Sequence, residues 1–248
     1  MKKRLISLLA VFAMISGCFA GGVSAAETAK FTVYLSPSSQ FANYYCTTGN
    51  EELAMRQVAQ AMIPYLEAYG IDYVMAKEKR DLPENTWSTL LQQRAEEAEE
   101  KGCDLYLAIH SNAAPTKAES GLRRGADIYY YTQKPMSRYW AEIIRDHYCY
   151  PDPNLVQLAT NDMLIDMHTP TMPSVLVETA YHDNVEDAVW IQQNIGAIAH
   201  SLAYSVAEYR FRYYGVPFQD AGDSQEQADG PLVPLMVTDA GTVWGVKE

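Results

Sequence analysis

Two short apolar runs of this chain each end in a side chain that can bind a metal ion or move a proton. Residues 105–109 lead into His110 and Asn112, and residues 175–177 lead into Glu178. Short apolar runs bounded by turn residues are typical of buried strands in a parallel sheet. Because open α/β sheets bind ligands at the carboxyl ends of their strands, His110 and Glu178 are predicted to meet in one crevice.

The residue types at these positions suit hydrolytic chemistry. Neutral imidazole is the commonest zinc ligand, and a carboxylate in apolar surroundings has the raised proton affinity of a general base. Taken alone, His110 is more typical of a structural histidine, and Glu178 of a carboxylate paired with a distant arginine. Glu51 lies in the first turn of a predicted helix, where a favourable interaction with the helix dipole explains it equally well. The combination of the three favours a functional site.

Alternating strands and helices predict a single α/β domain over residues 31–217, with a mainly parallel central sheet and helices on both faces. Asn50 and Asn184 are natural N-caps of the first and last predicted helices. The predicted strands cover 31–35, 73–76, 104–109, 126–131 and 174–177. The predicted helices cover 50–69, 87–101, 137–148 and 184–209, and residues 151–160 are predicted as loop.

The two ends of the chain carry separate signals. Residues 1–25 have the basic start and short apolar middle of a secretory signal, with a small-residue cleavage site at Val23-Ser-Ala25. Ile15-Ser-Gly-Cys18 alternatively resembles a lipobox, in which Cys18 would carry a lipid anchor. Both alternatives place the mature protein outside the cytoplasmic membrane, either secreted or attached to the cell envelope. Residues 218–248 are acidic with little to bury, which predicts a disordered tail.

The charge balance narrows the possible partners. The formal net charge is −12, and removal of residues 1–25, which contain three cations and no acids, brings it to −15. Such an acidic surface argues against nucleic acid and anionic lipid as partners. The cysteines are scattered and form no C-x-x-C motif, which argues against a structural zinc knuckle or a redox pair.

From about Val33 to Pro217 the chain resembles the zinc-dependent N-acetylmuramoyl-L-alanine amidases of the amidase-3 type. The resemblance is carried by Glu51 eight residues before Ala59, by Ile109-His-Ser-Asn112, and by Pro173-Ser-Val-Leu-Val-Glu178. It implies that Glu51 and His110 are ligands of Zn²⁺ and that Glu178 is the catalytic carboxylate.

One segment departs from the family pattern. Where the family has Asp-Pro-Gly-His-Gly, this chain has Ser36-Pro-Ser-Ser-Gln40, so that Ser39 replaces the first ligand histidine. A neutral serine hydroxyl is a poor zinc ligand, and a catalytic zinc takes three protein ligands. His182 is the candidate for the missing ligand, although a solvated turn residue is the alternative. Ser39 and Gln40 are candidates for holding a metal-bound water instead.

The resemblance implies hydrolysis of the amide between N-acetylmuramic acid and L-alanine in bacterial peptidoglycan. Asn112 and Arg123 are then candidates for binding substrate, Arg123 through a stem-peptide carboxylate, although a solvated loop also explains this arginine. The alternative function, prompted by Ser39, is an amidase-like protein with impaired catalysis that binds cell-wall fragments or regulates another hydrolase.

Overall fold

The computed structural model describes residues 30–78 and 87–222, together with two strands at 232–238 and 241–246. The predicted signal segment and Cys18 lie outside these residues, so both remain predictions. Among the helices that are described, none is long and apolar enough to cross a membrane.

A six-stranded sheet forms the centre of the domain, with the strand order β2-β1-β3-β6-β4-β5. Strands β2, β1, β3 and β6 run parallel, whereas β4 is antiparallel to β6 and parallel to β5. This arrangement confirms the predicted α/β domain with a mainly parallel sheet. The strands are β1 Thr32–Pro37, β2 Asp72–Met75, β3 Leu105–Asn112, β4 Ala126–Tyr130, β5 Val156–Thr160 and β6 Ser174–Tyr181.

Helices cover both faces of the sheet, as predicted. They are α1 Glu51–Ala68, α2 Trp87–Glu100, α3 Pro135–His147, α4 Ile165–His168, α5 Val185–Gln193 and α6 Ile195–Tyr214. Helices α1, α3, α5 and α6 pack on one face around the larger apolar core, and α2 and α4 pack on the other face. The alternation of side chains along each strand supplies one face to each core.

The two predicted N-caps are both confirmed. The side chain of Asn50 accepts a hydrogen bond of 3.0 Å from the Leu53 amide at the start of α1. Asn184 accepts bonds of 3.0 and 3.2 Å from the amides of Glu186 and Asp187 at the start of α5. Each cap satisfies donors that the first helical turn leaves without partners, a contribution of about 1 kcal/mol. The Asn50 cap places Glu51 at the first position of its helix.

Two predictions about the second half of the domain are wrong. Residues 151–160, predicted as loop, form a short 3₁₀ turn and then β5, because this five-residue edge strand is held by its pairing with β4, which lies far away in sequence, so that no local pattern indicates it. The predicted helix 184–209 is two helices, because Asn194 has the non-helical backbone angles φ −123° and ψ 25°. This break turns the chain so that the apolar side of α6 packs against α1.

Residues 218–222, at the start of the predicted tail, contact the folded domain. Phe218 and Ala221 pack against the larger core, and Asp220 accepts a hydrogen bond of 3.0 Å from the Tyr69 hydroxyl. Further along, β7 Leu232–Thr238 and β8 Gly241–Val246 form an antiparallel hairpin. Both strands contain several β-branched residues, which favour extended backbone.

Asp187 ties the beginning of β4 to the end of β6. Its buried carboxylate accepts hydrogen bonds from the Gly125 amide at 2.9 Å, the Tyr181 amide at 3.1 Å and the Tyr150 hydroxyl at 2.6 Å. Gly125 has φ +99°, and a Cβ atom there would lie 2.2 Å from the Leu155 carbonyl oxygen, so only glycine fits. This connection fixes where β4 begins beside β6.

Candidate active site

Three polar side chains lie in one row across neighbouring strands of the sheet. His110 of β3 is in register with Glu178 of β6, and Glu178 is in register with Asp127 of β4. Because β4 runs antiparallel to β6, the first residues of β4 lie beside the carboxyl-terminal half of β6. The structure therefore brings His110 and Glu178 together as predicted, and it adds Asp127. The only sequence signal for Asp127 was a carboxylate inside a predicted strand.

Glu51 approaches this row from the first turn of α1. Its Oε1 lies 2.9 Å from Nδ1 of His110, and the two side chains are only 1% and 12% exposed. Burial by itself would raise the pKa of Glu51, but hydrogen bonds and charge from His110, with further bonds from Ser38 and Asn43, hold it below the usual value. Burial by itself would lower the pKa of His110, yet the Glu51 carboxylate raises it to about 9.

Glu178 has the properties that a general base requires. Burial raises its pKa to about 7; the positive charge of His110 opposes this rise, whereas the carboxylates of Glu51 and Asp127 add to it. Its Oε2 atom and the Nε2 atom of His110 are both buried without a hydrogen-bond partner in the described part of the chain. Buried polar atoms without a partner are costly, and they commonly mark a place where a ligand binds.

The segment after β1 forms the other wall of the site. Gln40 Nε2 lies 3.3 Å from His110 Nδ1, and the Asn43 amide donates to Glu51 Oε2 at 2.7 Å and to Gln40 Oε1 at 3.1 Å. Ser39, at the position of the family's ligand histidine, is buried and accepts a bond of 2.6 Å from Arg94 Nη2. Its hydroxyl is thus committed to Arg94, whereas the side chain of Gln40 contacts His110.

His182, the predicted third ligand, is placed elsewhere. Its ring stacks on Tyr45 with 5.3 Å between the ring centroids. Its Nδ1 atom lies 3.0 Å from the Ser111 hydroxyl and 2.9 Å from the Ser111 carbonyl oxygen. Ser111 thereby holds the imidazole, and the structure does not bring it together with Glu51 and His110.

The two predicted substrate-binding residues differ in their surroundings. Asn112 borders the row of polar side chains, and its Nδ2 donates to Asp127 Oδ2 at 2.9 Å. Arg123 lies on an exposed loop, where its guanidinium pairs with Glu119. Asn112 is therefore part of the site as the structure has it. Arg123 pairs with Glu119 and also hydrogen-bonds Tyr181, whose hydroxyl donates to Asp127 Oδ2 at 2.9 Å, so it lies next to the same row.

The donor set can be tested against the zinc ion that the resemblance implies. Among the described residues, no three His, Cys, Asp or Glu side chains converge to hold a metal ion. Glu51 and His110 fit as two ligands of one ion, since Oε1 of Glu51 and Nδ1 of His110 face each other at 2.9 Å. Any third ligand must be of another residue type.

Comparison with known proteins agrees with this geometry. Residues 43–208 match the sequence model of the Amidase_3 family, described as N-acetylmuramoyl-L-alanine amidase. The chain belongs to this amidase family. The matched residues contain Glu51, His110 and Glu178 and leave out the segment 36–40, where Ser39 and Gln40 lie. No curated protein matches the chain.

Solved structures of amidases share the fold of this family member. Amidase AmiC2 of Nostoc punctiforme is 19% identical with a TM-score of 0.60, covering 72% of this chain and 96% of that one. The CwlV catalytic domain from Bacillus (Paenibacillus) polymyxa var. colistinus is 18% identical with a TM-score of 0.59, covering 76% and 99%. An amidase from Clostridium difficile 630 is 16% identical with a TM-score of 0.60, covering 75% and 97%. At such identities the comparison establishes the fold.

Proposed function

We propose that this protein hydrolyses the amide bond between the lactyl group of N-acetylmuramic acid and L-alanine in bacterial peptidoglycan. The observation that carries the proposal is the convergence of Glu51, His110 and Glu178, with partnerless buried atoms on His110 and Glu178. Membership of the amidase family supports the same substrate.

Glu51 and His110 are the residues that would hold a zinc ion, on which the family generally depends. Bound there, zinc supplies a Lewis acid that polarises the substrate carbonyl and acidifies a water molecule. The protein buries both side chains almost completely, and Asn43 orients the Glu51 carboxylate through its hydrogen bond to Oε2.

Glu178 is the proton carrier of the proposed reaction. In the ionised form it accepts a proton from the attacking water, and as the acid it delivers that proton to the leaving amine of L-alanine. A pKa of about 7 suits both halves of this task, because neither proton transfer is then strongly uphill near neutral pH. Burial raises the pKa of Glu178 most; the charge of Asp127 on β4 raises it further, and that of His110 on β3 lowers it.

The test is the Glu178→Gln variant on purified peptidoglycan, with the release of new L-alanine amino termini followed by end-group labelling and mass spectrometry. We expect a rate lower by roughly two to four orders of magnitude, which is the usual contribution of a positioned proton carrier. Glu142→Gln, on the outer surface of α3, is the matched control and should cleave at the wild-type rate. Equal rates for Glu178→Gln and wild type would refute the proposed role.

A second candidate function rests on Ser39, whose hydroxyl is bound by Arg94 instead of facing His110. In this alternative the protein binds cell-wall fragments, or regulates another hydrolase, without cleaving the amide itself. Stoichiometric binding of muropeptides by metal-free wild-type protein, with no product by mass spectrometry, would favour this function over hydrolysis.

The substrate implies that the protein works outside the cytoplasmic membrane, in agreement with the signal predicted at residues 1–25. We propose that it is either secreted or anchored through Cys18. Fractionation of cells expressing the Cys18→Ser variant distinguishes the two: an anchored protein would leave the membrane fraction, whereas a secreted one would be unaffected.

A further inference from the structure

Four side chains at the rim of the sheet form a closed ring of contacts. His110 Nδ1 faces Glu51 Oε1 at 2.9 Å, Asn43 Nδ2 faces Glu51 Oε2 at 2.7 Å and Gln40 Oε1 at 3.1 Å, and Gln40 Nε2 returns to His110 Nδ1 at 3.3 Å. Glutamine and asparagine thus complete a ring around the two residues that fit as metal ligands.

The contacts of His110 Nδ1 cannot both be hydrogen bonds. A ring nitrogen either carries one proton, which it can donate to Glu51, or carries none and can accept from Gln40. In each case the second contact sets two donors or two acceptors against each other. A cation bound by the lone pair of Nδ1 and by Glu51 Oε1 removes the conflict between these two acceptors, because both atoms then act as ligands; the Gln40 contact then requires the amide oxygen, instead of Nε2, to face the cation.

Gln40 fits this cation as well. The oxygen and nitrogen of a side-chain amide are distinguished only by their hydrogen bonds, and a half turn about the last side-chain bond exchanges them. After that turn the amide oxygen faces His110 Nδ1, and Gln40 gives up the 3.1 Å hydrogen bond that it accepts from Asn43. Asn43 keeps its shorter bond to Glu51, so the carboxylate stays oriented.

Ser39, the residue before Gln40, cannot face this cation in the same way. Arg94 donates from Nη2 to the Ser39 hydroxyl at 2.6 Å and from Nη1 to the Pro37 carbonyl oxygen at 2.9 Å, which fixes the backbone after β1. With residue 39 committed to Arg94, the next side chain along the loop is the one that reaches His110.

We propose that Gln40 supplies the third protein ligand of the metal site through its amide oxygen, in the place that an imidazole holds in the family pattern. The proposal rests on the metal site of the proposed function. An amide oxygen is a harder and weaker ligand than imidazole, and oxygen ligands suit Mn²⁺ and Mg²⁺ better than zinc. The site therefore binds zinc less tightly, and prefers it less strongly over Mn²⁺, than the same site with histidine at position 40.

The experiment measures metal binding by the full chain after removal of bound metal, without using activity. Zn²⁺ affinity is determined by competition with a chromophoric chelator, and Co²⁺ is titrated to record its visible spectrum. We expect Gln40→Leu to bind Zn²⁺ at least about tenfold more weakly than wild type, and Gln40→His at least about tenfold more tightly. The Co²⁺ spectrum of Gln40→His should also differ from that of wild type.

Two further variants test whether the effect depends on the donor atom at position 40 and on that position in particular. Gln40→Glu keeps the shape of glutamine while supplying a charged oxygen, and it should also bind Zn²⁺ more tightly than wild type. Ser39→His restores the family residue at the aligned position, and it should gain no affinity because that position faces Arg94. Circular dichroism confirms that each variant is folded.

Unchanged affinity in Gln40→Leu, or a gain in Ser39→His that Gln40→His lacks, would overturn the assignment of Gln40. Absence of any divalent-ion binding by folded wild-type protein would overturn it too. Metal binding that depends on Gln40 without cleavage of peptidoglycan would leave this inference standing and refute the proposed hydrolysis.

Discussion

Three histidine–carboxylate pairs of similar length lie in two very different parts of this protein. At the rim of the sheet, His110 and Glu51 are 2.9 Å apart; on the outer side of α6, His147 pairs with Glu208 at 2.7 Å and His200 with Asp220 at 2.8 Å. The side chains of His110 and Glu51 are 12% and 1% exposed, whereas those of His200 and Asp220 are 26% and 44% exposed. The distance between the partners does not distinguish a site from a surface contact.

Surroundings distinguish the two regions. The rim pair lies beside a second acidic side chain, Glu178, and its imidazole has a buried atom without a partner in the described structure. The helical pairs lie among tyrosines: Tyr204 is near both His147 and His200, with ring centroids 4.9 and 6.3 Å away. Glu208 is also buried, but its carboxylate lies between two basic side chains, His147 and Arg212. The rim pair differs because it combines a second carboxylate with a buried imidazole atom that has no partner in the described structure.

The largest expected difference between the two regions is in metal dependence. Treatment with a chelator should lower amidase activity by at least about a hundredfold, and added Zn²⁺ should restore it, because the ligands are at the rim. A His147→Ala, His200→Ala double variant should keep both its zinc content and its activity. Loss of zinc from that double variant would show that the metal binds at the histidines around α6 and would contradict the proposed difference between the two regions.

A smaller difference is expected in stability. In metal-free protein, Glu51→Gln removes one partner of a buried ion pair and should lower the free energy of unfolding by about 3 kcal/mol. Asp220→Asn alters a solvent-screened pair and should lower it by less than about 1 kcal/mol. Urea unfolding in the presence of chelator measures both, and equal changes in the two variants would contradict the importance of burial.

The smallest expected effect is the pH dependence of the Asp220 contact. Burial by itself would raise the pKa of Asp220, but hydrogen bonds from the Gly222 amide, His200 and Tyr69 lower it below 3.8. A carboxylate with a lowered pKa stabilises the fold above its unfolded pKa, and this contribution is lost as pH falls through the folded pKa. The small stability difference between wild type and Asp220→Asn at pH 7 should therefore shrink as the pH falls below the unfolded pKa of the carboxyl and through its lower folded pKa, as measured by urea unfolding. A stability difference between the two proteins that grew as the pH fell would contradict this prediction.

Much of the fold was predictable because its signals are local. The apolar runs before His110 and Glu178 were enough to predict that the two side chains meet in one crevice, and Asn50 and Asn184 marked the helix starts; both strands extend past these residues, to Asn112 and Tyr181. Pairing between distant segments was not predictable: the direction of β4 depends on its partners β5 and β6. That direction places Asp127 beside Glu178, which no pattern along the chain could show.

By itself the sequence determined the α/β class, the helix starts and the meeting of His110 and Glu178, because spacing and polarity along the chain decide these features; the place of Glu51 beside them was implied only by the family resemblance. Only the tertiary structure decided which side chain faces the metal ligands. Arg94 of α2 binds Ser39, Ser111 and Tyr45 hold His182, and Gln40 alone of these three candidates contacts His110. Each of these orientations depends on a contact with a residue far away in sequence, which no local pattern encodes.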